Sequence, residues 1–567
     1  MLPGRGAQVR EILTTKELVA NSVSRFGEQV AFQMRQDSLP GRQAGERYSG
    51  YRKLTFKQAG EIILRLQAGL LSLGVALGDR VALISENRPE WAMAFLAITS
   101  MGAIVIPLDA MLRKEEVFPL LEDSDPKAVI LSQKFSEYTQ ETNLKNYTIL
   151  MENLYSESPM GGGTKGEIEK IKAIVSGSLP PVTMDDIASL VYTSGTTEAP
   201  KGVMLTHQNL MSNVTATASL FDIGPGDNFL SVLPLHHTFE TTAGFLGPFY
   251  KGCTITYAES LKSYFLLRNM QETGATVMCG VPLLYQLFFE GIMREAKEEG
   301  VANMLWLLFA LSKFFKQAFG GNPGKRLFSV VHKKFGGKIR FFVTGGATID
   351  PDLIKNFELM GFPLLQGYGL TESAPVITCC TLENNRIGSA GKPIPGVSVK
   401  IAEGGKVGEI LASGPNIMKG YYKRKDLTDE VIDKTGWLHT GDVGCLDDEG
   451  FLFITGRLKD VIVTASGVNV YPEEIELALR KLPSVAEGGV LGSTISAGLR
   501  KGTEEVAAVI VPREGFSETD VKKEVYDLNK TLAAHKRIAR IIVRKEELPK
   551  TRLLKVKKFE LRKELGL

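Results

Sequence analysis

The feature that most constrains this chain is an alternation. Short runs rich in Val and Ile, such as Val81–Ile84, Ala103–Pro107, Ala128–Ser132 and Thr276–Val281, are separated by longer segments with helical periodicity. Strands alternating with amphipathic helices imply βαβ units, and a series of such units implies mainly parallel sheets. The expected class is therefore α/β. The longest apolar stretch, Ala92–Leu108, contains Thr99, Ser100 and Gly102 and has Pro107 near its end. That composition predicts a buried helix followed by a buried strand rather than a membrane span.

At 567 residues, 44% of them hydrophobic, the chain is too long for one typical domain. Lys406–Ala412 and Phe451–Thr455 read as a β-rich patch, and the character changes near Arg457–Asp460. The remaining residues suit a small α+β domain. The expected division is 1–458 and 459–567. A net charge of +3 with 23% charged residues excludes a whole-chain nucleic-acid binder and a disordered chain. The N-terminus lacks the apolar core of a signal peptide. The five cysteines show no metal-ligand spacing, and a reduced, cytoplasmic setting fits them better than a disulfide framework. From His535 to Leu567, twelve Lys/Arg face four Asp/Glu. A solvated helix face is the plain reading of that run, and a surface that meets phosphates is the sharper one.

The densest signal is Leu190–Asn209, LVYTSGTTEAPKGVMLTHQN. A short apolar strand runs into Thr193, Ser194, Gly195, Thr196 and Thr197. Four hydroxyls and a glycine can wrap a polyphosphate, because Gly admits close backbone approach and the hydroxyls and amides donate hydrogen bonds. Lys201 adds a positive charge. The Gly195-to-Lys201 spacing matches a Walker A loop, but Pro200 occupies the second Gly position and Gly202 the Ser/Thr position, which disfavours a P-loop NTPase.

YTSGTTxxPKGV resembles the phosphate loop of the adenylate-forming superfamily of AMP-dependent synthetases and ligases, which includes acyl-CoA synthetases, firefly luciferase and peptide-synthetase adenylation domains. Glu198 stands where that family usually has glycine. Further segments follow in the family's order. Pro234-Leu235-His236-His237 resembles the wall of the acid pocket, which implies a gating or positioning role for His237. Gly345, Gly346 and Ala347 match the segment that contacts adenine. In Gln366-Gly367-Tyr368-Gly369-Leu370-Thr371-Glu372, the resemblance implies that Tyr368 stacks on adenine and Thr371 bonds the α-phosphate. It makes Glu372 the magnesium ligand, with Thr193 as a second donor. Gly436–Asp442 is read as placing Asp442 in a turn; the matching aspartate binds the ribose hydroxyls, with Arg457 as its partner. Lys459 matches the hinge and Gly467 the entry of pantetheine. In Pro549–Lys555, Leu554 replaces a family glycine and Lys555 falls on the catalytic lysine.

The resemblance implies a large N-terminal domain of βαβ subdomains and a small mobile C-terminal domain. It also implies ATP, Mg²⁺ and coenzyme A as cofactor and co-substrates, and an acyl-AMP intermediate. The apolar segment Leu283–Phe319, with GGKIRFFVTGGA after it, resembles most closely the long-chain fatty-acid–CoA ligases of bacteria. A medium- or long-chain fatty acid is the expected substrate; an acyl carrier protein is the alternative acceptor, and an acyl-AMP ligase that stops at the adenylate is a further alternative. The remote alternative is a non-catalytic fatty-acyl sensor. The first half of Leu283–Phe319 reads as core helix. The second half reads either as the roof of an alkyl tunnel or as peripheral contact with the inner face of a membrane.

Overall fold

A computed structural model describes residues 13–566 except 37–49, 141, 156–174, 176, 178, 180, 194–199, 321, 403–404, 465–467, 496–502 and 551–555. The expected α/β class holds. Among the described residues a seven-stranded and a nine-stranded sheet form the body. In the first, Arg80–Ile84 lies between Ile104–Leu108 and Ala128–Leu131, parallel to both. In the second, Asn228–Ser231, Val277–Gly280, Phe341–Thr344 and Leu364–Gly369 are successive parallel neighbours. Apart from Leu364–Gly369, whose last four residues are half-buried, these strands are almost wholly buried, which is why runs such as Val81–Ile84 and Ala128–Leu131 read as apolar without alternation.

The Ala92–Leu108 stretch is a helix, Pro89–Ser100, with every residue buried, followed by the strand Ile104–Leu108. Trp91 stacks on Phe95 at 5.5 Å, and both meet Phe245 edge-on. The β-rich patch is a four-stranded sheet containing Gly408–Ser413, Leu438–Leu446 and Leu452–Arg457.

Beyond Asp460 a small α+β unit has a core of its own, with Ile475, Leu479, Val490, Val506, Ile510 and Val521 at its centre. Its strands Val485–Thr494, Glu504–Pro512 and Arg540–Val543 form one sheet. Across the boundary, Lys481 Nζ lies 2.7 Å from Asp352 Oδ2.

Candidate active site

The strand Ile187–Thr193 pairs antiparallel with Lys201–Thr206, with Thr193 opposite Lys201. Ser194, Gly195, Thr196, Thr197 and Glu198 lie outside the described residues. The helix His207–Ser219 starts only after the second strand, capped by Thr206. Two of its asparagines act as struts. Asn209 Nδ2 donates to the carbonyls of Pro415 and Ile417, and Asn213 Nδ2 to those of Ser373 and Val376. This ties the segment after Glu372 to the segment before Tyr421.

The result is a tyrosine–carboxylate pair. Tyr421 Oη donates to Glu372 Oε1 at 2.8 Å, and Lys201 Nζ stands 5.3 Å from the centre of the Tyr421 ring. Burial, and then the Glu372 charge, push the Tyr421 phenol far above its ordinary range, so it remains a donor. Gly369 is required by close packing: a Cβ there would stand 1.8 Å from the Pro375 carbonyl oxygen.

Asp442 lies in the strand Leu438–Leu446, not in a turn as the sequence suggests; the left-handed residue is Gly441, at φ 68°. Antiparallel pairing places Asp442 directly opposite Arg457. Arg457 Nε lies 2.9 Å from Asp442 Oδ1, and Tyr368 Oη donates to Asp442 Oδ2 at 2.8 Å. The Arg457 Nε–H is nonetheless buried without an aligned acceptor, so this contact is a charge pair more than a hydrogen bond. Tyr368 is thereby held by its hydroxyl, with its ring along the cavity wall.

Lys201, Tyr368, Glu372, Tyr421 and Arg457 border one cavity of about 720 Å³. Its polar lining includes Thr193, Lys201, Thr371, Glu372, Arg457 and Lys459. Its apolar lining includes Phe221, Ile223, Phe229, Phe341 and Val343. Gly345, Gly346, Gly367, Gly369 and His237 line it as well. Burial, helped by neighbouring His236, pulls His237 down to about 4. Its Nδ1 accepts from the Phe239 amide at 3.3 Å, so the neutral ring carries its proton on Nε2.

The structure brings most of the sequence-predicted residues together. Ala347 and Gln366 do not line the cavity, and Asp442 stands behind Tyr368 and Arg457. Gly467 and Lys555 lie outside the described residues. The neighbouring lysines are engaged elsewhere. Lys558 Nζ sits 3.1 Å from Glu476 and 3.3 Å from Glu473, and Lys557 Nζ 2.8 Å from Glu560. Sequence reasoning missed Tyr421, the Glu409–His439 pair at 2.8 Å, and the apolar wall. None of these carries a local spacing signal. No residue of Leu283–Phe319 lines the cavity, so that segment does not roof it.

The donor set suits a magnesium nucleotide. No cluster of three or more His, Cys, Asp or Glu capable of holding a metal is present among the described residues. Three carboxylates line the cavity, Glu372, Glu409 and Glu430; Glu409 is engaged by His439, and Glu372 shares the lining with lysine, arginine and hydroxyl groups, while magnesium commonly takes one or two carboxylates plus substrate phosphates. Fold and site thus suit an enzyme that handles a nucleotide.

The chain belongs to the AMP-binding enzyme family. Residues 22–422 match that family and residues 474–555 match the AMP-binding enzyme C-terminal domain. A long-chain-fatty-acid–CoA ligase, FadD15 of Mycobacterium bovis, is 30% identical over 458 residues, covering 77% of this chain and 75% of that protein. A feruloyl-CoA synthase of Amycolatopsis is 30% identical over 522 residues, covering 90% of this chain and 94% of its own length. Among solved structures, o-succinylbenzoate CoA synthetase of Bacillus subtilis with its acyl-adenylate intermediate gives a TM-score of 0.75 at 25% identity, covering 96% of this chain and 97% of that one.

Proposed function

We propose that the chain is an AMP-forming acyl-CoA ligase whose acid is a medium- or long-chain fatty acid. The observation that carries this reading is one cavity whose lining combines cationic and hydroxyl groups, such as Lys201, Arg457, Thr193 and Thr371, with apolar side chains of Phe, Ile and Val. A carboxylate oxygen must reach the α-phosphorus of ATP, so the nucleotide and the acid need adjoining sites. An alkyl chain gains on the order of 0.8 kcal/mol per CH₂ buried, which an apolar wall of Phe, Ile and Val supplies.

In the first half-reaction the acid oxygen attacks the α-phosphorus, the bond to the bridging oxygen breaks, and pyrophosphate leaves. Charge builds on phosphoryl oxygens, so catalysis is mainly positioning and positive charge. Lys201 and the 193–197 loop hold the pyrophosphate end, and Thr371 and Lys555 meet the α-phosphate. Glu372, with Thr193, would hold Mg²⁺, which supplies charge neutralisation on the phosphates when bound. Arg457, held by Asp442 behind it, meets the ribose. Gly345, Gly346 and Tyr368 make the adenine platform. His237, neutral at working pH, positions the acid rather than moving its proton. In the second half-reaction the CoA thiol, entering past Gly467, attacks the acyl carbon. It loses its proton, and AMP leaves with the acyl oxygen. A domain of residues 459–567 turns about Lys459 between the two steps.

Ala218, near the end of the helix His207–Ser219, is among the apolar residues that line the cavity. Ala218→Phe is expected to lower kcat/KM for long acids at least tenfold while sparing short ones, measured as acid-dependent pyrophosphate release. Equal loss at every chain length sinks the assignment of this wall to the alkyl chain.

A further inference from the structure

The helix Ala302–Phe319 inverts the usual burial pattern. Leu305, Phe309 and Ser312 face inward; Phe309 packs on Phe328 at 4.9 Å, and Ser312 Oγ donates to the Leu359 carbonyl at 2.7 Å. The outward side is the more apolar one. Met304, Leu307, Leu311 and Phe314 recur at i, i+3, i+7 and i+10, which aligns them in one stripe. With Trp306 and Phe319 beside it, this surface has side chains 36–74% exposed. Scattered exposed apolar residues need no explanation, but a contiguous stripe marks a contact surface.

Charge says what the contact is. From Ala302 to Arg340 there are eight Lys/Arg and no Asp or Glu. Lys316, Lys334 and Arg340 pair with carboxylates from elsewhere. Lys313, Lys325, Arg326, Lys333 and Lys338 have no salt-bridge partner among the described residues. A second copy meeting the helix and the segment that follows it by symmetry would set the same positive charges against each other. An anionic lipid surface satisfies both features, since apolar side chains enter the headgroup boundary and cations meet phosphates. Among the described residues no helix is long and apolar enough to cross a membrane, so this one would lie along the surface.

We propose that the helix Ala302–Phe319 docks the protein on an anionic lipid bilayer. The inference stands apart from the identity of the acid, because the helix does not line the cavity.

The test is flotation of the intact protein with phosphatidylcholine vesicles, with and without phosphatidylglycerol. The expected result is binding to the phosphatidylglycerol vesicles that weakens with salt. Leu307→Ser combined with Phe314→Ser is expected to cut partitioning on the order of a hundredfold, about tenfold for each apolar side chain withheld. Both positions are exposed, so an unchanged melting temperature checks the fold; Lys333→Glu with Lys338→Glu is the second variant and is expected to weaken binding as well. Trp306 emission is expected to shift to the blue on binding in the wild type. The proposal is overturned by absence of flotation, by equal flotation with neutral vesicles, or by flotation indifferent to both variants. A dimer abolished by the serine substitutions, with no vesicle binding, overturns it in favour of a contact between copies.

Discussion

Glu240 begins an irregular helix, Glu240–Leu246, wound as a π-helix directly after the cavity-lining Phe239. Its side chain is fully buried and neither carboxyl oxygen has a hydrogen-bond partner. Burial pushes this carboxyl from 4.5 up to about 8, and the nearby Ser231 hydroxyl, which makes no hydrogen bond of its own, offsets only part of that. The folded protein therefore keeps a proton that the unfolded chain releases above its ordinary carboxyl range. Between 4.5 and about 8 the unfolded state binds fewer protons, so Glu240 makes stability fall as pH rises through that window. At about 1.4 kcal/mol per pH unit, the loss between about pH 5 and about pH 7 is on the order of 2–3 kcal/mol. Glu240→Gln keeps the shape against Gly244, whose Cβ would stand 2.4 Å from the carboxyl, and cannot ionise. Urea unfolding followed by tryptophan fluorescence, with Trp91 in the same core layer, is the assay. The variant is expected to gain on the wild type by about 2–3 kcal/mol between those two pH values. Parallel pH profiles for the two proteins would refute the buried, proton-carrying carboxyl.

Tyr421→Phe removes the hydrogen bond to Glu372 and keeps the ring beside Lys201. It is expected to raise several-fold the magnesium concentration needed for half-maximal rate, and a titration that overlays the wild type contradicts the pairing. Lys555→Ala is expected to cripple acyl-AMP formation and largely spare thioester formation from preformed acyl-AMP; equal loss in both half-reactions would exclude an adenylation-specific lysine.

The architecture was legible where local pattern and environment agree. Val81–Ile84 and Ala128–Ser132 read as strands because both faces are covered, and the Ala92–Leu108 stretch read as helix then strand because Thr99, Ser100 and Gly102 break it. The sequence around Asp442 misled because Gly436 and Gly441 look like turn punctuation, whereas cross-strand pairing with Leu452–Arg457 decides that segment. Tyr421 and Glu372 are 49 positions apart, and the strand pairing of Tyr421 with Val203 brings the tyrosine in. No spacing rule reaches such a contact. The apolar wall is assembled in the same way, from a helix end and strands far apart in the chain. Glu240 read as one more polar residue after two histidines; only its depth reveals that it keeps a proton.

The central claim is tested most directly by pyrophosphate release from ATP and Mg²⁺, across acids from acetate to oleate, with and without coenzyme A. The expected result is release that depends on the acid, peaks with long chains, and turns over repeatedly only with coenzyme A. A single burst that coenzyme A leaves unchanged contradicts the acceptor and points to a carrier protein, and no release with any acid contradicts the ligase itself.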